Sequence, residues 1–181
     1  MLFVYGLGNP GKEYKYTRHN CGYLVVDKLS LVFKKKFKKK KNFLFFRTNE
    51  ITGVKPLVYM NETGKAVKNV VEYFKCSIKD ILFVVDDFNI ETGVLRYRVR
   101  GSSGGHRGLE SIVNEFGTED FPRLRIGIGP VPGGIDPSVF VLSVFEEREM
   151  EKMNLVFDKV MDLILSWKNK GLPKGNLTIR T

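Results

Sequence analysis

The sequence predicts an α/β fold: a single-domain sandwich over residues 1–181, with a mixed, mostly parallel central sheet flanked by helices. Three observations predict it. Apolar runs of strand length interleave with segments of helical period, the pattern of helices laid on a sheet. One run, Ile81–Val85, is apolar at every position, as a strand covered on both faces requires. The 181 residues show no internal repeat and no Pro/Ser-rich linker, and their length suits one domain.

Residues 2–6 (LFVYG) are expected to form a short buried strand ending in a Gly-rich turn. Residues 21–33 (CGYLVVDKLSLVF) suit a helix with Asn20 at its N-cap. Residues 43–49 and 54–59 read as strands, a hairpin broken near Thr52 and Gly53. In 64–75, Val67, Val70, Val71 and Phe74 recur at helical spacing. Residues 94–100 (VLRYRVR) alternate, which turns Leu95, Tyr97 and Val99 to the core and Arg96, Arg98 and Arg100 to the opposite face. GSSGG at 101–105 reads as a loop, 106–116 as a short helix and Arg123–Gly129 as another strand. Residues 146–170 read as a long amphipathic helix with Met153, Val156, Val160, Leu163, Ile164 and Trp167 on its apolar side. Gly171 is placed to stop it.

Hydrophobic residues make up 43% and charged residues 28%, a balance that allows a core and argues against a disordered chain. The net charge is +10, which points to an anionic partner, either nucleic acid or an anionic membrane surface. Seven of those charges sit in one run, KKKFKKKK at 34–41, which reads as a solvated surface segment opening a loop or strand. No apolar stretch has the length of a membrane-spanning helix. The N-terminus, MLFVYGLGNPG, has neither the basic lead nor the apolar length of a signal peptide. Cys21 and Cys76 have no CxxC-type neighbour, so no disulfide framework or zinc site is expected, and a reducing cytosol fits. His19 and His106, far apart in sequence, do not by themselves suggest a metal site.

GLGNPG at 6–11 matches the dinucleotide fingerprint G-x-G-x-x-G and follows a strand. The physics argues against a cofactor site. In that motif the helix starts within the glycines and turns its free N–H groups to the pyrophosphate. Here Pro10 removes one N–H, Asn9-Pro10 favours a turn, and KEYKYTRHN has no apolar helical period. Asp27 has the spacing of a ribose-binding acid but falls inside the first expected helix.

The polar segment 14–20 (YKYTRHN) lies between a strand and a helix, where functional side chains gather. His19 is the best general base in the chain, its ordinary pKa being near neutrality. Asp86 and Asp87 end an apolar strand, so at least one carboxylate should emerge at the sheet's C-terminal edge, the usual ligand side of such sheets. A parallel strand 2–6 would bring Asn9 and His19 to that edge. A carboxylate there would fix the imidazole tautomer and stabilise its cation. Asn61 could add an amide that orients water or donates to a developing oxyanion. Cys21 is an unsuitable nucleophile for His19, since residues two apart on a helix face different ways.

GLGNPGKEYKYTRHNCG, YMNETGKAV, VVDD, GSSGGHRGLESI and FPRLRIGIG, in this order and spacing, resemble the motifs of the bacterial peptidyl-tRNA hydrolase family. The resemblance covers about residues 2–145 and continues more weakly through the last helix. It implies an esterase that frees a peptide, or a blocked amino acid, from the 3′ ribose of tRNA. It further implies no metal or cofactor and a monomer, while the apolar lengths and the cysteine usage give the expectation of no membrane and a cytoplasmic location. It makes His19 the general base, Asp86 its partner, and Asn9 and Asn61 the amides that hold substrate and attacking water. Tyr14 and Met60 would line the cleft near the acceptor end, and Gly104 and Gly105 would bring backbone close to the peptide. Arg98 and Arg125 would grip the 5′-terminal phosphate. Where the family reads GHNG this chain reads GHRG, and Arg107 is expected to reach a phosphate or a substrate carbonyl instead. The alternative is a noncatalytic RNA-binding protein of the same fold. Retention of His19, Asp86, Asn9 and Asn61 favours the enzyme.

Overall fold

The computed structural model describes residues 1–181. Along the chain run β1 (Leu2–Gly6), α1 (Cys21–Val32), β2 (Lys38–Lys40), β3 (Phe43–Arg47), β4 (Ile51–Pro56), α2 (Thr63–Phe74), β5 (Ile81–Glu91), β6 (Val94–Arg98), α3 (Arg107–Phe116), β7 (Arg123–Gly129), α4 (Pro137–Leu142), α5 (Glu147–Lys170) and β8 (Leu177–Arg180). All eight strands join one sheet in the order β2-β3-β4-β1-β5-β7-β6-β8.

The sheet is mixed, as expected, but its parallel character is confined to the centre. β4, β1, β5 and β7 run parallel. The outer pairings β2–β3, β3–β4, β6–β7 and β6–β8 are antiparallel and outnumber the parallel ones four to three. The expectation of a mostly parallel sheet is corrected to that extent. Short turns join β2 to β3 and β3 to β4 at one edge, whereas at the other α3 lies between β6 and β7, and α4 and α5 precede β8.

Helices cover both faces. One core gathers α1, α4 and α5 over Leu2, Val4, Leu82 and Val84. The other gathers α2 and α3 over Phe3, Tyr5, Ile81, Phe83 and Val85. The alternation sends successive residues of β5 to opposite cores, which is why Ile81–Val85 has no polar position.

Gly6 and Gly22 explain the glycine-rich start. A Cβ on Gly6 would lie 2.1 Å from the Gly22 carbonyl oxygen, and one on Gly22 would lie 2.3 Å from the Val84 carbonyl oxygen. These glycines let α1 rest directly on β1 and β5. Asp27 turns outward from α1 and is salt-bridged to Lys55, so it serves no ribose.

Other local expectations shift. The β3–β4 turn falls at 48–50, where Thr48 Oγ1 accepts the N–H groups of Glu50 and Ile51 at 3.1 and 2.9 Å. Thr52 and Gly53 lie inside β4, because Gly53 makes room for the Phe46 ring on β3. Asn20 stands at the start of α1 without capping it by its side chain. α4 and β8 add to the expected elements. No helix is long and apolar enough to cross a membrane.

Candidate active site

β1 and β5 are parallel, with Gly6 level with Val84, so the loop after β1 and the end of the apolar run of β5 reach the same edge of the sheet. There a cleft of about 530 Å³ is lined by Asn9, His19, Met60, Asn61, Asp86 and Gly104 among others.

His19 sits in a 3-10 turn, Arg18–Asn20, just before α1. Its Nδ1 lies 3.0 and 2.9 Å from the two oxygens of Asp86. His106 Nε2 lies 3.2 Å from Oδ1 of the same carboxylate. His106 caps α3, its Nδ1 accepting the N–H groups of Gly108 and Leu109 at 3.2 and 3.4 Å. That acceptor role places the His106 proton on Nε2, where it donates to Asp86. Asp86 therefore accepts from two imidazoles, and His19 keeps Nε2 free for the cleft.

The electrostatics follow from this packing. Burial alone would raise the pKa of Asp86, but the two imidazoles outweigh it and hold the carboxyl well below the usual carboxylate range. Burial disfavours charge on His19 as well. The charge and hydrogen bond of Asp86 overcome that, so its pKa is raised from 6.5, with Arg107 pulling the other way. His106 is lowered from 6.5, because full burial outweighs Asp86. One imidazole is thus prepared to accept a proton and the other is held neutral.

Asn9 is nearly buried. Its backbone N–H donates to Asn20 Oδ1 at 2.8 Å, and its carbonyl accepts from Asn20 Nδ2 at 3.0 Å. Its side-chain Oδ1 accepts the Met60 N–H at 2.8 Å. The amide's NH₂ is thereby turned away from Met60 and left to donate in the cleft. Asn20, expected as a helix cap, instead holds this loop. Asn61 is exposed on the cleft wall, and its amide forms no hydrogen bond to the protein. Met60 is buried beneath it, close to Gly108. Tyr14 stands edge-on to Tyr59 at 6.3 Å, and Tyr59 is the tyrosine that lines the cleft.

On the far wall, Gly104 and Gly105 have φ of 61° and 79°, conformations that favour glycine. Arg125 holds this loop, donating to the Ser102 and Ser103 carbonyls at 2.7 and 3.1 Å and pairing with Asp87 at 2.9 Å. Arg98 lies outside the cleft and donates to the Tyr97 and Leu177 carbonyls at 2.9 and 3.0 Å. Both expected phosphate-binding arginines are thus engaged by the protein itself. Arg107 lines the cleft, exposed and without a hydrogen bond or ion pair. Cys21 is fully buried, and burial pushes its thiol well above the ordinary value, so it is no nucleophile.

Two supports had no local signal in the sequence. Arg18 is bound to Glu149 of α5 through two hydrogen bonds of 2.9 and 2.6 Å and lies over the Phe140 and Phe145 rings. It thereby anchors the turn that carries His19. His106 was visible only as a histidine between a glycine loop and a helix start. The fold brings it within 4.8 Å of His19, ring to ring. By residue type His19, Asp86 and His106 could hold a metal ion, with ligand atoms within 4.8 Å of one another. The proton on His106 Nε2 makes the trio a hydrogen-bond network instead.

Fold and site together define an α/β protein equipped for acid–base chemistry in one cleft at the C-terminal edge of its parallel strands. Residues 3–179 match the family model described as peptidyl-tRNA hydrolase. The peptidyl-tRNA hydrolase of Methylacidiphilum infernorum is 44% identical over 173 residues, 93% of this chain and 92% of that one. That of Thermotoga maritima is 41% identical over 178 residues, 96% of this chain and 94% of that one. The crystal structure of the Acinetobacter baumannii peptidyl-tRNA hydrolase superposes with a TM-score of 0.75 at 32% identity, covering 87% of this chain and 83% of that one. The chain belongs to the peptidyl-tRNA hydrolase family.

Proposed function

We propose that this protein hydrolyses the ester between a peptide, or an N-blocked amino acid, and the 3′ ribose of tRNA. The observation that carries the reading is the Asp86–His19 Nδ1 hydrogen bond, which leaves Nε2 facing the cleft in a chain of this family. His19 Nε2 takes a proton from water, and the hydroxide adds to the ester carbonyl. The tetrahedral intermediate then expels the ribose oxygen, which takes the proton back from the His19 cation. The products are the peptide acid and tRNA with a free 3′ end. Asp86 stabilises the cation between the two transfers. Asn9 and Asn61 donate to the substrate or hold the water. Gly104 and Gly105 admit the peptide backbone, Met60 and Tyr14 with Tyr59 face the acceptor end, and Arg107 takes a phosphate or a peptide carbonyl. Arg125 on the cleft wall and Arg98 outside it supply positive charge for the 5′-terminal phosphate. We further propose that residues 1–181 act as one domain, as a cytoplasmic monomer, without metal or cofactor.

The test is release of tRNA from an N-acetylated aminoacyl-tRNA. Multiple turnovers by the purified protein, in the presence of a chelator, are expected. Tight tRNA binding with no release would show a noncatalytic RNA-binding protein instead.

A further inference from the structure

The lysine run 34–41 is the largest charged feature that the catalytic cleft does not use. It is not a shapeless loop. Lys38–Lys40 form β2, the edge strand of the sheet, paired only with β3. All seven lysines are exposed. Lys41 pairs with Glu72 at 3.3 Å, and Lys40 lies 5.1 Å over the Tyr73 ring. Lys34, Lys35, Lys36, Lys38 and Lys39 form no ion pair. Phe37 is turned inward onto the Phe46 ring at 5.7 Å, which holds the strand in place. Beside the run, Lys35 and Arg47 face a concavity otherwise lined by Thr48 and Asn49, with no apolar lining residue.

Register places the run relative to the cleft. Lys40 is level with Phe43, Phe43 with Pro56, and β4 runs parallel to β1. The C-terminal end of β2 therefore lies at the same edge of the sheet as the cleft. It is three strand spacings from β1, about 14 Å. Arg98 and Arg125 lie on the other side of β1, on β6 and β7. The cleft is thus flanked by engaged arginines on one side and by the lysine strand on the other, with Lys40 and Lys41 nearest the cleft edge and the free Lys34, Lys35 and Lys36 leading back toward the opposite edge, where Arg47 and Thr48 lie.

We infer that the lysine edge strand is a second tRNA contact, an electrostatic rail for the ribose–phosphate backbone beyond the acceptor tip. This inference rests on the proposed substrate. Exposed, like-signed charges on an ordered strand and on the segment leading into it attract phosphate without reading sequence. RNA is favoured over a membrane surface because the run's single aromatic side chain is committed to the core and the adjoining concavity is wholly polar. The other use of such lysines is to keep a sheet edge from pairing with another chain.

The experiment replaces Lys35, Lys36, Lys38 and Lys39 together by Gln, with a Lys→Arg version of the same four as the charge-retaining control. Affinity for full-length tRNA is read by fluorescence anisotropy across a salt series. Turnover is read on N-acetylated aminoacyl-tRNA and on the same blocked amino acid carried by a CCA trinucleotide. The Gln variant should bind tRNA about tenfold or more weakly near 0.1 M salt. Its salt slope should be shallower by roughly 0.7–0.9 for each lysine that meets a phosphate. Its kcat on tRNA and its kinetics on the trinucleotide should match wild type, and the Arg version should match wild type throughout. Unchanged affinity and slope would overturn the inference, leaving the lysines to guard the edge. Equal loss on the trinucleotide would overturn it too, since the run would then shape the cleft. Capture by anionic phospholipid vesicles with an unchanged tRNA slope would assign the surface to a membrane. The inference is judged by binding and salt slope, whereas failure of the proposed reaction would appear as absence of turnover by the unaltered protein.

Discussion

The cleft and the lysine edge use charge in opposite ways. In the cleft every charged group except Arg107 is held by a partner or a cap: Asp86 by two imidazoles, Asp87 by Arg125, Asp136 by the N–H of Ser138 at 2.7 Å. At the edge five lysines have no ionic partner and lie in water. The buried, partnered Asp86 and His19 supply direction and a tuned pKa, which chemistry needs. Unpartnered, solvated groups supply attraction that is long in range and weak in direction. Damage to the cleft should therefore appear in kcat, and damage to the edge in affinity and its salt dependence.

The largest break should come from Asp86→Asn. Both imidazoles lose their shared carboxylate, and His19 loses the partner that fixes its tautomer and stabilises its cation. A fall in kcat of about 10³–10⁴-fold is expected, with tRNA affinity nearly unchanged. Steady-state kinetics beside tRNA anisotropy would show it, and an equal loss of affinity would blur the proposed division. Asn9→Ala should come next, at about 10²–10³-fold in kcat, since it removes one donor from the cleft and the acceptor for the Met60 N–H. Glu149→Gln should act through the anchor of Arg18. Thermal unfolding should report about 1–3 kcal/mol of lost stability, with a smaller loss of rate.

Arg107→Asn sharpens the contrast, because Arg107 is the one unpaired charge of the cleft. Its positive charge disfavours the protonated His19, so removing it should raise the His19 pKa further above 6.5. Activity on the acid side, where His19 holds its proton, should then fall, and the acid limb of the pH–kcat profile should move to higher pH. A limb that stays in place with unchanged KM would deny Arg107 any part in the site.

Much of the cleft was legible because its parts lie where strands end. The apolar run Ile81–Val85 announced a covered strand, and that alone put Asp86 at an edge. The pairs that hold the cleft were not legible. Arg125 with Asp87, and Arg18 with Glu149, join residues far apart in sequence, and no local pattern encodes which arginine meets which acid. Arg98 and Arg125 looked like free guanidiniums and are bound to carbonyls. β8 finds its partner β6 only through the fold. α4 did carry a signal, since Asp136 caps it and Pro137 opens it, the pairing expected at a helix start. The alternation of 94–98 is readable, whereas the position of the β3–β4 turn is not. There a glycine made room for Phe46 across the sheet, and within one strand such a glycine looks like a turn.

The central claim is that His19, oriented by Asp86, is the base. The most direct measurement is the single-turnover rate of His19→Ala on N-acetylated aminoacyl-tRNA with enzyme in excess, beside its tRNA affinity. A rate about 10²–10⁴-fold below that of the unaltered protein, with affinity retained, is the expected result. A rate equal to that of the unaltered protein would contradict it.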